Sequence, residues 1–251
     1  MLALSSQNLF LILIAGFAAG FINSIVGSGT LITFPALLAA GLSPLVANTS
    51  NNVGLIPGAF AAMRGSRHSL EGERHQIRAL MPFSIAGALI GASALLLLPD
   101  RIFSSVVPWL VLLGVALNIA APIVSRWRKE SSQIAIGRGA QFSVLLTGIY
   151  GGYFGAAQGV ILIGLLSLLL NETVARSNAM KNYLAGATNL IAGLVFILSG
   201  KIAWLAVLLI GISSYAGAIV GSRVGRGIPP WIYRTIITVT GLYASYRLFT
   251  S

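Results

Sequence analysis

The stretch "GFINSIVGSGTLITFPALLAAG" (residues 20–41) decides how this chain folds. It continues an apolar run that begins at Leu9, is interrupted by "GSG" at residues 27–29, and resumes only as far as Gly41. The run 9–26 approaches the ~20 apolar residues needed to cross a bilayer, whereas residues 29–41, at 1.5 Å per residue, cover only ~20 Å of the ~30 Å hydrocarbon core. The stretch therefore predicts a membrane helix that ends in a glycine break and is followed by a half-helix, a re-entrant piece or one part of a bent span.

The whole composition agrees. Of 251 residues, 56% are hydrophobic and only 8% charged, and the mean hydropathy is +0.89. A soluble domain carries about 25% charged residues on average, so the chain is expected to be an integral, multi-pass membrane protein. No basic segment precedes residue 9 and more apolar runs follow, so the first run is expected to be a span and not a cleaved signal peptide. The absence of cysteine excludes disulfides and thiolate chemistry. The net charge of +11 is explained by the excess of Lys and Arg in cytoplasmic loops, so no nucleic-acid partner is expected.

Ten apolar helical elements are expected, near 8–26, 29–41, 45–63, 79–98, 102–124, 139–157, 159–170, 174–199, 202–222 and 229–249. The second and seventh are too short to span. Two basic breaks, "RGSRHSLEGERHQIR" (residues 64–78) and "RWRKESSQIAIGR" (residues 126–138), are separated by two spans. They fall on one side, which the charge rule makes cytoplasmic. If every element crosses, Arg176, Arg223 and Arg226 share that side, and Lys201 and Asp100 lie opposite.

Self-comparison predicts two copies of one unit, residues 1–125 and 139–251, joined by the basic linker 126–138. "AGALIGA" (residues 86–92) and "AGAIVGS" (residues 216–222) are 130 positions apart, as are Asn48 and Asn178, and Asn52 and Asn182. "GFAAGFINSIVG" and "GIYGGYFGAAQG" align at 132, pairing Gly27 with Gly159. Five crossings per unit, an odd number, would make the repeat inverted, a transporter plan with substrate near the midplane. Four would make it parallel.

The segments 16–51 and 148–182, with the "AGALIGA" and "AGAIVGS" helices, resemble the TauE/SafE family of membrane transporters. The resemblance implies a sulfite or sulfonate exporter. The usual Gly-Gly-Gly run of that family is "GSGT" here and "GAAQG" in the second half, and the following proline survives only as Pro35.

The candidate site gathers the polar residues of both halves. Gly27 and Gly29 permit a sharp turn, Asn23 and Ser24 precede it, and Ser28 is placed to cap the helix starting near Thr30. A helix N-terminus at membrane depth suits an oxyanion. "ANTSNN" (residues 47–52) puts Asn48, Asn51 and Asn52 on one helical face, and Asn178, Lys181 and Asn182 repeat the spacing in the second half. Amide N–H groups can donate to a sulfonyl oxygen while Lys181 supplies the charge. Tyr153 and Gln158 are further candidate donors.

The five acids (Glu71, Glu73, Asp100, Glu130 and Glu172) all fall in loops or at helix ends. No catalytic carboxylate pair, metal cluster or Walker A sequence is present, so no enzyme, cofactor or ATP coupling is expected. The expectation is an inner-membrane secondary transporter or uniporter exporting a small anion, a sulfur oxyanion or organosulfonate. A scaffold subunit or an anion channel is the alternative, and a homo-oligomer is compatible with either.

Overall fold

A computed structural model of the chain describes residues 5–70, 74–126, 136–170 and 172–250. Most of the basic linker, together with Glu71, Glu73 and Glu130, lies outside the described residues. Within them the fold is all-helical. The ten α-helices are α1 (Ser6–Ile25), α2 (Thr30–Ala39), α3 (Pro44–Ser66), α4 (Arg74–Leu97), α5 (Asp100–Arg126), α6 (Arg138–Tyr153), α7 (Gln158–Leu169), α8 (Val174–Ser199), α9 (Trp204–Val224) and α10 (Pro230–Thr250). Five of them, α1, α4, α5, α8 and α9, contain windows long and apolar enough to cross a membrane, while α2 and α7 are short apolar helices.

The expected elements are all present, with instructive shifts at their ends. The basic segment 64–78 is largely helical: α3 runs through Arg64 to Ser66, a 3₁₀ turn covers Arg67–Leu70, and α4 begins at Arg74. Loss of hydrophobicity there marks the edge of the apolar layer and not the end of a helix, because Arg is a good helix former. In the other direction, α6 stops at Tyr153, four residues short of the expected 157. Its chain reverses through Gly155, at φ +77°, and Ala157, at φ +59°.

The glycine breaks revise the alignment of the halves. The N–H groups of Val26 and Gly27 both return to the Ile22 carbonyl, and those of Phe154 and Gly155 both return to the Tyr150 carbonyl. Gly27 (φ +88°) thus corresponds to Gly155, 128 positions on, and not to Gly159. Glycine is needed at Gly27 because a left-handed backbone strains any Cβ. Matching by glycine identity alone misplaced the register by one helical turn.

Packing between the halves is exchanged in kind, with α1 and α6 related by 128 positions and α4 and α9 by 130. The most extensive contacts are α1 on α9 and α4 on α6. In the first, a Cβ at Gly20 would meet the Ser214 carbonyl and one at Gly217 the Phe17 carbonyl. In the second, a Cβ at Gly148 would meet the Ser84 carbonyl and one at Gly87 the Leu145 carbonyl. Small residues bring these helices into backbone contact, as apolar surroundings favour. At the centre α3 packs on α8, and at the periphery α5 packs on α10.

Polar contacts sort the helix ends into two groups. At one end Lys201 Nζ lies 2.9 Å from Asp100 Oδ1, and the Ala203 N–H donates to Ser50 Oγ near the start of α3. At the other, Gln76 donates to Glu172 at 3.0 Å, Arg176 lies 3.6 Å from the same carboxylate, and Arg64, Arg67 and Arg223 line one cavity. Consequently α3 and α8 run in opposite directions, as do α4 and α9.

Candidate functional site

Where the two glycine breaks meet, the Gly159 N–H donates to the Gly27 carbonyl at 3.2 Å. A Cβ on either glycine would lie 2.5 Å from the Cα of the other. The aliphatic stem of Lys181, on α8, lies against both: its Cδ would be 3.0 Å from a Cβ at Gly27 and 2.8 Å from one at Gly159. Lys181 is 1% exposed. Its Nζ donates to the Asn23 carbonyl at 2.6 Å, and no carboxylate of the described residues pairs with it. It sits seven residues into α8, ~10 Å from the helix start at 1.5 Å per residue.

A cavity of about 40 Å³ adjoins this point, lined by Asn23, Thr30, Gln158, Lys181, Asn182 and Asn189 together with small residues of α3 and α8. A single water needs ~10–15 Å³ of such space, so the cavity admits a small polar species. The small residues Ala59, Ala62, Ala185 and Gly186 that shape its wall were not among the expected site residues. Neither was Thr188, which accepts from Gln158 Nε2 at 3.2 Å and bonds Ser84 Oγ at 2.9 Å. Their sequence signal is helical spacing: Ala185, Thr188 and Asn189 follow Lys181 at i+4, i+7 and i+8 on α8.

The remaining expected residues take other places. Ser28 is not the cap of α2: the capping position is Gly29, whose N–H is bound by Asn23 Oδ1 at 2.7 Å. Ser28 Oγ is buried without a partner among the described residues. The start of α7 is likewise occupied, since its first N–H groups go to the Gly155, Gly27 and Ala157 carbonyls. The expected row of unpaired helix-start donors is therefore largely satisfied by protein.

The asparagine faces split into supports and lining. Asn48 donates to the Tyr153 carbonyl at the end of α6, and Asn178 donates to the Ser24 carbonyl at the end of α1, each at 3.0 Å. A helix end leaves its last carbonyls unpaired, and here each half supplies the amide that satisfies the other's. Asn48 is not the N-cap of its own helix, a position held by Ser43. Asn51 Oδ1 accepts from Thr33 Oγ1, and its Nδ2 donates to Thr30 Oγ1 at 3.2 Å. It therefore reaches the cavity only through Thr30.

Asn52 is buried with its Oδ1 unpartnered among the described residues, close to the space beside Gly193. Tyr153 turns its ring onto Phe103. Ser24 Oγ bonds the Phe21 carbonyl and, with Ser66, Asn178 and Asn182, lines a second cavity of about 220 Å³. Asn182 and Ala62 belong to both cavities, and Asn182 Nδ2 bonds Ser66 Oγ at 3.1 Å. The two asparagine faces thus do not oppose each other across one chamber.

Short helices meeting at glycine breaks, beside a buried polar cavity in a multi-pass helical protein, define the class as a membrane transporter. The comparisons with known proteins agree. Residues 12–248 match the model of the sulfite exporter TauE/SafE family, and the chain belongs to that family. It is 30% identical to "Probable membrane transporter protein ORF9" of Sinorhizobium sp, over 98% of this chain and 94% of that protein. It is 27% identical to "Probable membrane transporter protein YfcA" of Escherichia coli (strain K12), over 92% of this chain and 85% of that protein. A "Probable membrane transporter protein" of Haemophilus influenzae is also 27% identical, over 93% and 89%.

Proposed function

We propose that the protein is an inner-membrane secondary transporter or uniporter that exports a small anion, a sulfur oxyanion or an organosulfonate, and that its two halves form an inverted repeat. The observation that carries the anion is Lys181: a buried lysine beside the polar cavity with no carboxylate partner among the described residues. An uncompensated buried charge is costly, and a bound anion would offset that cost. The ammonium group has donors beyond the one given to Asn23. Thr30, Gln158 and Asn182 add neutral polar groups around the same space. The family's name supports the choice of sulfur compounds.

The opposite directions of α3 and α8 and of α4 and α9 support the inversion, and the exchange of contacts between halves supports the repeat itself. Alternating access would move the α4–α6 pair against the α1–α9 pair about the glycine junction. Export needs no coupling ion, since an anion leaving a cell that is negative inside gains ~2.3 kcal/mol per charge per 100 mV.

The test is flux of sulfite and methanesulfonate from proteoliposomes. The wild type should show saturable flux with counterflow, and Lys181→Gln should lower it at least tenfold while its melting temperature is kept. Undiminished flux in that variant defeats the site. Absence of any anion flux from folded wild-type protein defeats transport and favours a scaffold.

A further inference from the structure

The central site holds a single ionisable side chain, Lys181, and the internal repeat shows where a second one is absent. Lys181 and Asn51 occupy equivalent positions, 130 residues apart, in the same register that relates Asn48 to Asn178 and Asn52 to Asn182. Each is buried, at 1% exposure. Their surroundings are comparable, since Asn51 bonds Thr30 at the start of α2 and the Lys181 stem packs on Gly159 at the start of α7. In the first half, however, the position carries a neutral amide committed to Thr30 and Thr33. Every other polar residue lining the cavity is an amide or a hydroxyl, and no lining residue is acidic or basic besides Lys181.

We infer that the asymmetric pair Lys181 and Asn51 sets the charge of the substrate, making this a site for monoanions in preference to dianions. The inference rests on the transport reading above and narrows it. In a desolvated cavity one carboxylate-sized charge against one ammonium closes the local charge balance. A dianion leaves one negative charge buried and unpaired, which is strongly unfavourable even after relaxation. Neutral amides and hydroxyls orient sulfonyl oxygens but do not neutralise that excess. Monosulfonates and hydrogen sulfite meet this condition. Sulfate, the sulfite dianion, and compounds carrying both a sulfonate and a carboxylate do not.

The experiment compares ligands of matched chemistry and different charge on the wild-type protein, so that it does not depend on a variant folding. Thermal shift in detergent and competition against labelled methanesulfonate flux would use ethanesulfonate against ethane-1,2-disulfonate, and methanesulfonate against sulfate. The monoanions should raise the melting temperature and compete at least tenfold better than their dianionic partners. Equal or better competition by the disulfonate and by sulfate overturns the charge rule while leaving anion transport standing. No effect of any anion on either readout overturns the transport reading and this inference with it.

Asn51→Lys adds the missing charge at the equivalent position, and should narrow or reverse the monoanion preference. Asn189→Lys, at a partly exposed lining position, provides the same addition outside the Thr30 and Thr33 bonds. An unchanged preference in a folded, active form of either variant counts against the inference.

Discussion

Gly27 and Gly159 touch through their backbones: the carbonyl of one accepts the N–H of the other at 3.2 Å, and neither has room for a side chain. Because Gly27 also has a positive φ, Gly27→Ala should combine backbone strain with a clash, and Gly159→Ala should push against both Gly27 and the Lys181 stem. Overpacking of this kind costs ~1–3 kcal/mol. Both variants should melt several degrees lower in detergent and lose most flux. Gly41→Ala makes a control, since it shares a positive φ but has open space around it. Equal damage at Gly41 and Gly27, with Gly159→Ala spared, would show that conformational strain, and not the junction, governs the result.

Asn48 and Asn178 should behave as structural residues. Removing either amide leaves a buried helix-end carbonyl unpaired, at ~1–3 kcal/mol. Asn48→Ala and Asn178→Ala are therefore expected to lower the melting temperature while leaving the apparent KM for anion flux within about twofold. Lys181→Gln should do the reverse, losing flux with little loss of stability. A large rise in KM for the two alanine variants, without destabilisation, would return these asparagines to the substrate.

This division of labour was invisible in the sequence for a definite reason. Hydrophobic runs disclosed the helices, and the spacing of Asn48, Asn52, Asn178 and Asn182 disclosed the related faces, because both are local and periodic. What each amide binds depends on a partner at least 105 positions away for Asn48 and 154 for Asn178. Ser28 looked like a cap because caps usually come from the adjacent residue, yet Asn23 reaches Gly29 from the preceding helix. Glycine matching placed Gly27 opposite Gly159, one turn from the true correspondence with Gly155, because glycine marks both left-handed turns and close helix contacts. Those contacts nevertheless put Gly159 beside Gly27 in space.

Membrane orientation can be checked directly, since the chain lacks cysteine. Single cysteines at Lys201 and Arg67 should react with membrane-impermeant maleimide from opposite faces, with Arg67→Cys on the cytoplasmic side. Labelling of both from one side would contradict the inverted arrangement and the alternating-access scheme built on it.

Glu172 should matter more to stability than Asp100, although both belong to ion pairs. Glu172 is 1% exposed and holds Gln76 at 3.0 Å and Arg176 at 3.6 Å, tying the start of α4 to the start of α8. Gln76 Oε1 already lacks a partner among the described residues, so Glu172→Ala would leave the other end of that buried amide unpaired as well. Breaking such a buried network by removing one partner costs roughly 2–4 kcal/mol. The Asp100 and Lys201 side chains are 61% and 44% exposed, and solvent screening holds such a pair below about 1 kcal/mol. Glu172→Ala is expected to melt several degrees below wild type, and Asp100→Ala within about one degree of it. High salt should reduce the small Asp100 effect and spare the Glu172 effect, because screening reaches exposed charges far more than buried ones. Equal melting losses for the two variants, or a Glu172 effect that salt abolishes, would mean that water reaches the Gln76–Glu172 contact and that it does not lock α4 to α8.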